Sequence, residues 1–189
     1  MTELEKMRTG ETYDFTAPDV VESLRRKRVN LARFNATPLD DPQAYEKALA
    51  ALIPDHDPSA RIIPPFFCDH GHPIHLGREV FINANCTFLD GGGISIGDHT
   101  LIGPNCQLYT PQHPMDYRER RKPVESGKAI RIGNDCWLGG GVIVCPGVTI
   151  GDRCIIAAGS VVTRDIPDDS LAAGNPAVVK RKLENHDNC

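Results

Sequence analysis

The chain has 189 residues, 40% of them hydrophobic, which fits one main domain with a buried core. Its 21 Lys and Arg against 25 Asp and Glu give a net charge of −4, so no overall positive charge draws nucleic acid or anionic lipid to it. The sequence shows neither a membrane-spanning apolar run nor a signal peptide, and it predicts a cytoplasmic protein without nucleic-acid or membrane partners.

Residues 1–58 are predicted to form an N-terminal helical cap. One amphipathic helix follows Pro18 and continues to Phe34, and a second lies between Asp40 and Pro54. A basic run in the first helix could form a binding surface, although a solvated helix face is the commoner explanation for such a run. This run consists of Arg25, Arg26, Lys27, Arg28 and Arg33. The proline-rich residues 59–73 are predicted to be an extended linker.

Residues 74–165 repeat with a period of six. The recurring positions are Leu76, Ile82, Phe88, Ile96, Ile102, Leu108, Ile132, Leu138, Val144, Ile150, Ile156 and Val162. This period differs from the 3.6 of a helix and the 2 of a strand, but it fits a chain that turns a corner every six residues, where glycine or another small residue relieves the backbone. Three sides close one coil, and coils stack at roughly the 4.8 Å spacing of parallel strands. The pattern therefore predicts a mostly β protein, a parallel β-helix of about four coils.

Four cysteines occupy one phase of this repeat, two positions before an inward aliphatic residue. They are Cys86, Cys106, Cys136 and Cys154. The cysteine count is odd and no C-x-x-C pair occurs, so we interpret these residues as small buried hydrophobes. Cys68, Cys145 and Cys189 have no activating base nearby in the sequence.

An inserted loop, residues 109–129, interrupts the repeat. His113 lies near its start, and the following Pro114 restricts the histidine backbone to extended conformations. A long loop within a compact repeat is usually functional or disordered, and histidine takes up and returns a proton near neutral pH. Taken alone, a loop histidine is more often simply exposed. After the repeat, residues 166–189 form a C-terminal segment with a basic tail.

Several stretches together resemble one enzyme subgroup. They are "EKMRTGETYDFTAPDVVESLRRKR", "NANCTFLDGGGISIGDHTLIGPN", "TPQHPMD", "IRIGNDCWLGGGVIVCPGVTIGD" and "AAGSVVTRDIPDDSLAAGNPAVVKRK". In order and over essentially the whole chain, they resemble the maltose and galactoside O-acetyltransferases of the hexapeptide-repeat acyltransferase superfamily. The resemblance implies a left-handed parallel β-helix with a helical cap, assembled as a homotrimer. It also implies transfer of acetyl from acetyl-CoA to a sugar hydroxyl, with no metal required.

The same resemblance assigns residues to the acceptor side. It makes His113 the general base, and it matches Asn83 to the asparagine that holds the acceptor and stabilises the reaction centre. Asp14 and Asp69 match positions that contact the acceptor. Galactoside enzymes carry a further aspartate where this chain has Gly91, which argues against a galactoside preference.

On the donor side, the resemblance implies a coenzyme A groove. The matching residues are Trp137, Gly140, Ala158, Thr163, Arg164, Lys180 and Arg181. The small residues would let the pantetheine arm lie along a coil edge, and the cations would face phosphate. Arg164 replaces a lysine that is commoner in the family and keeps the charge with a different geometry.

Three alternatives remain open from the sequence. The acceptor could be an amino acid, an antibiotic or a nucleotide-linked amino sugar in place of a sugar. His70, His72 and His75 could hold zinc, as in a γ-carbonic-anhydrase-like protein. The chain could also be a non-catalytic trimeric scaffold.

Overall fold

The computed structural model describes residues 1–184, and Cys189 lies outside the described residues. Three parallel sheets wind around one apolar core as the faces of a triangular prism, with helices covering one end. This arrangement confirms the mostly β, stacked-coil fold. Within the described residues, no helix is both long and apolar enough to cross a membrane.

Each coil contributes one short strand to each face. The first face contains β2 (Asp55–His56), β5 (Ile74–Leu76), β8 (Ile94–Ile96), β13 (Ile130–Ile132) and β16 (Thr149–Ile150). The second face contains β3 (Arg61–Ile62), β6 (Phe81–Ile82), β9 (Leu101–Ile102), β14 (Trp137–Leu138), β17 (Ile155–Ile156), β19 (Ser170–Gly174) and the antiparallel β20 (Ala177–Lys182). The third face contains β4 (Phe66–Cys68), β7 (Cys86–Leu89), β10 (Gln107–Tyr109), β15 (Ile143–Val144) and β18 (Val161–Val162).

Four helices and a small antiparallel sheet complete the described structure. The helices are α1 (Glu3–Thr9), α2 (Pro18–Ala36), α3 (Pro42–Leu52) and α4 (Tyr117–Arg120). The small sheet has the order β1 (Tyr13–Asp14), β12 (Val124–Gly127) and β11 (Pro111–Gln112). The two helices predicted within the cap are confirmed as α2 and α3, whereas α1 was not predicted. A Thr2 capping box begins α1.

The hexad positions point inward as predicted. All twelve recurring side chains are at most 3% exposed, and residues in neighbouring coils lie in register, as in the pairs of Leu76 with Ile96 and Ile96 with Ile132. The four hexad cysteines are also buried and unpaired, as expected. Their thiols reach carbonyl oxygens in the adjacent coil, as between Cys136 Sγ and Gly151 O at 3.0 Å. A small side chain with a weak donor therefore suits this position.

The corner glycines have a different role from the one the sequence suggested. Gly97 and Gly133 have no positive φ; instead, a Cβ at either would lie within 2.8 Å of backbone atoms in the next coil. The left-handed residue comes two positions later, at His99 (φ 57°) and Asp135 (φ 55°). Hexad glycines thus permit close coil stacking, and a separate residue makes the turn.

The stack begins earlier than the hexad pattern indicates. The predicted extended linker contains β3 and β4, and the predicted helical cap contains β2 near its end; all three strands pair with the second coil. With β2 and β4, the first and third faces each have five strands. The cap hydrogen bonds directly to this first coil. The Tyr45 hydroxyl donates to Ile62 O and accepts from Ile62 N, and the Asn35 amide bonds both backbone groups of Phe66. These bonds satisfy backbone groups that an open strand edge would leave unpaired.

Candidate active site

A cavity of about 350 Å³ lies where the N-terminal segment meets the inserted loop, at the corner between the third and first faces. Its wall combines residues from four parts of the chain, which are Tyr13, Phe15, Val20, Leu24, Asp69, His70, Gly91, Pro111, His113 and Glu125. The inserted loop is ordered by the small sheet, because β12 pairs with β1 on one side and with β11 on the other. His113 directly follows β11 and is positioned by this sheet.

The His113 imidazole faces a carboxylate. His113 Nε2 lies 3.6 Å from Glu125 Oε2, which is an ion-pair distance but longer than a hydrogen bond. The Tyr13 hydroxyl donates a hydrogen bond to the other oxygen of Glu125 and so fixes its orientation. The edge of the Phe15 ring packs against His113, with ring centroids 6.2 Å apart. The His113 side chain is 53% exposed, so a hydroxyl could approach it.

Asp69 adds a second carboxyl group to the cavity wall. Burial, reinforced by the negative charge of Asp90, raises the pKa of Asp69 to about 6. The fully buried Asp90 accepts backbone N–H bonds from Asp69, His70 and Gly71 at 2.7–2.9 Å, which fixes the segment that carries Asp69. Near neutral pH, Asp69 can therefore accept a hydrogen bond and retains a protonated fraction that can donate one.

Two acceptor-side positions differ from the sequence expectation. Asp14 does not line the cavity, because its carboxylate accepts the N–H and hydroxyl of Thr16 in a local turn; its neighbours Tyr13 and Phe15 line the wall instead. At Gly91, an added Cβ would lie 3.3 Å from Met7 Sδ and 3.5 Å from the Tyr13 hydroxyl. A side chain at this position would therefore require Met7 to shift by a few tenths of an ångström.

Asn83 lies at a different corner of the prism from His113. It follows β6 at the corner between the second and third faces, and its side chain accepts the Ala84 N–H at 2.8 Å. The register of β6, β9, β14 and β17 places Gly140 and Ala158 along the same corner in later coils. The structure thus brings Asn83 together with these two predicted donor residues, and separates it from His113 within one chain.

The remaining predicted donor residues lie in the last coils. Trp137, Ile155, Leu171 and Arg181 are opposite one another across the second face, so their side chains share its outer surface. Lys180 is exposed on β20, and Thr163 and Arg164 are exposed just after β18. Trp137 is 54% exposed, which leaves its ring available to a ligand or a neighbouring subunit.

The three histidines of the zinc alternative do not form a metal site. In residues 1–184, no group of three or more His, Cys, Asp or Glu side chains is arranged to hold a metal ion. His70 Nδ1 is hydrogen-bonded to Ser23 Oγ at 2.8 Å, and His75 points outward to Asp55. The strand alternation of β5 explains this divergence, because His75 lies between the inward residues Ile74 and Leu76.

Sequence reasoning missed Tyr13 and Glu125 as cavity residues. Their contact spans 112 positions of the chain and forms only because β1 pairs with β12. The alternating polar stretch "VESG" was a weak strand signal inside the loop, and it gave no indication of its partner.

The family described as "Bacterial transferase hexapeptide (six repeats)" matches residues 129–164. A maltose O-acetyltransferase from Clostridium difficile 630 is 40% identical, with a TM-score of 0.94 over 98% of this chain and 99% of that one. A hexapeptide-repeat acetyltransferase from Vibrio cholerae O1 biovar eltor, complexed with acetyl coenzyme A, is 38% identical, with a TM-score of 0.89 over 98% and 100%.

A galactoside acetyltransferase in complex with coenzyme A is 33% identical to this chain, with a TM-score of 0.92 over 97% of this chain and 92% of that one. These similarities extend over both the cap and the coils, well beyond the repeat itself. From its sequence repeat, its fold and these full-length matches, the chain belongs to the hexapeptide-repeat acetyltransferase family.

Proposed function

We propose that the protein transfers acetyl from acetyl-CoA to a hydroxyl of a sugar, with His113 as the general base. The observation that carries this proposal is one cavity whose wall includes His113, the Glu125 carboxylate 3.6 Å from it, and Asp69. Solved relatives named for maltose and galactoside acetylation, and for binding of coenzyme A or acetyl-CoA, support the choice of substrates.

The chemistry is a direct displacement. His113 removes the hydroxyl proton while the oxygen attacks the thioester carbonyl carbon, and the C–S bond then breaks. The imidazolium returns the proton to the departing thiolate, so no acyl-enzyme forms. Glu125 faces the imidazole and stabilises its positive charge during the step. Asp69 orients a second hydroxyl of the acceptor.

The position of Asn83 supports a homotrimer as the active form. A single chain carries His113 at one corner and Asn83, Gly140 and Ala158 at another, so a complete site needs the second corner of a neighbouring copy. The outer row of the second face is apolar from Phe81 to Leu171, with Leu101 48% and Trp137 54% exposed. The outer row of the first face is polar, so the second face is the better candidate for subunit contact.

The test is thiol release from acetyl-CoA with a panel of mono- and disaccharides, an amino acid and an aminoglycoside as acceptors. We expect a sugar to give the highest kcat/KM, and His113→Ala to lower it about 10²–10⁴-fold. His75→Ala is the matched control, because His75 is equally exposed (53%) and lies 3.1 Å from a carboxylate, Asp55. Wild-type rates for His113→Ala, or a preference for the amino acid, would contradict the proposal.

A further inference from the structure

A second cavity, also of about 350 Å³, lies on the other side of His70, enclosed by α1, α2 and the end of α3. His70 forms part of the wall of both cavities. Of the residues assigned above to the acceptor or to coenzyme A, none lines this second cavity. Its chemistry therefore needs a separate explanation.

Positive side chains dominate the wall of the second cavity. Arg8, Arg26 and Lys27 line it, against one carboxylate, Asp19, that accepts the backbone N–H of Leu4 at 2.9 Å. Arg26 is paired with Glu22 outside the cavity at 3.1 Å. Neither Arg8 nor Lys27 has an ion-pair partner within 4.0 Å anywhere in residues 1–184. Two cations from different helices therefore border this space without an ion-pair partner among the described residues.

A buried histidine nitrogen is also left without a partner. His72 lines the second cavity, and its Nε2 is buried with no hydrogen bond to any described residue. A buried polar atom without a partner costs about 1–3 kcal/mol, which a ligand hydroxyl that donates to this nitrogen would recover. Burial together with the neighbouring His72 and Lys27 lowers the pKa of His70 to about 4, and burial together with Arg8 lowers the pKa of His72. The three cations on this wall thus outnumber its one carboxylate, Asp19.

We propose that this second cavity binds a small phosphate-bearing anion, either inorganic phosphate or a phosphate monoester. Arg8 and Lys27 would bind the oxyanion, and a P–OH group of the ligand would donate to His72 Nε2, which is an acceptor because the neutral ring donates its other N–H to the His70 backbone. The volume lies within the roughly 300–1,000 Å³ typical of small-molecule sites, which leaves room for an organic group beyond the phosphate. This site stands apart from the proposed acetyl transfer and does not depend on it.

The test is isothermal titration calorimetry on the full-length protein at constant ionic strength, with inorganic phosphate in one arm and glycerol 3-phosphate in the other. We expect saturable binding in at least one arm, and the tighter arm identifies the ligand type. Arg8→Gln and Lys27→Gln should each weaken binding about tenfold, as expected for one charge-assisted hydrogen bond. Lys27→Arg should bind nearly as tightly as the wild type.

Arg28→Gln is the matched control, because Arg28 is an exposed cation on the same helix and does not line the cavity. If Arg28→Gln weakened phosphate binding as much as Arg8→Gln and Lys27→Gln do, the loss would reflect general surface charge, and the proposal would be wrong. Absence of saturable binding in both arms would do the same. Displacement of phosphate by saturating coenzyme A would assign the anion to the donor groove and also refute it. Unchanged melting temperatures of the variants establish that they remain folded.

Discussion

Ionisation of Asp69 is expected to lower the free energy of unfolding as the pH rises from about 4 through 6, although the proposed acceptor site uses this residue. Its pKa is raised by burial and by Asp90 to about 6, from the 3.8 that is ordinary for aspartate. At 1.36 kcal/mol per pKa unit, this difference of about 2.2 units corresponds to about 3 kcal/mol. The folded state binds the Asp69 proton more tightly than the unfolded state. Stability from this group is therefore full below about pH 4 and is lost as the pH rises through 6.

Asp69→Asn keeps the shape and removes the charge, so it should reverse this loss. We expect the variant to gain about 1.5 kcal/mol of unfolding free energy at pH 5 and about 3 kcal/mol at pH 8, while its kcat/KM falls. Urea unfolding at both pH values, at one protein concentration, measures the difference. A gain that does not grow with pH, or a loss at pH 8, would refute the electrostatic reasoning.

Asp14→Asn provides a control of opposite sign. Hydrogen bonds from Thr16 to the carboxylate lower the pKa of Asp14, so its contribution to stability is present above its unfolded pKa and is lost as the pH falls. The Asn variant should therefore be destabilised near neutral pH, and less so in acid. Urea unfolding at the same two pH values measures this difference, and a loss of unfolding free energy that is larger in acid would contradict the prediction.

Two further predictions concern the site and the fold. Glu125→Gln should lower kcat/KM about tenfold, because it removes the negative charge that faces His113. Tyr13→Phe only removes the hydrogen bond to that carboxylate, so it should lower kcat/KM less in the same assay. A larger loss for Tyr13→Phe than for Glu125→Gln would contradict the role given to Glu125. Gly71→Ala should destabilise the protein by more than about 3 kcal/mol, because its Cβ would lie 2.2 Å from Leu52 O at φ 79°. Gly141→Ala, at φ 71° with no atom within 4 Å, should cost only about 1 kcal/mol in denaturant unfolding, and equal losses would rule out a clash at Gly71.

The hexad predicted the core well because it reflects local geometry. A residue such as Ile96 points inward whatever happens elsewhere in the chain, and the two cap helices likewise show their periodicity and proline starts locally. The first coil was missed because prolines break the pattern around β3 and β4, at Pro58, Pro64 and Pro65. Those strands depend on pairing with the next coil and on the cap.

The candidate site was only partly accessible from the sequence. His113 could be identified from its loop and from the family resemblance, and the structure places it in a cavity with Asp69. Glu125 and Tyr13 join that cavity through long-range antiparallel pairing, which no short motif encodes. Asp14 shows the converse: an aspartate followed by threonine two positions later satisfies its own turn, and its carboxylate is used there.

If the proposed homotrimer builds each site from the His113 corner of one subunit and the Asn83 corner of another, two inactive variants should complement each other. A chain with His113→Ala keeps Asn83 and its corner unchanged, and a chain with Asn83→Ala keeps His113 unchanged. Randomly mixed trimers made by co-expression would then contain about one quarter intact sites, if each site draws on two subunits. Recovered activity in the mixture would reveal catalysis shared between neighbours, whereas a mixture as inactive as its components would show that each chain works alone.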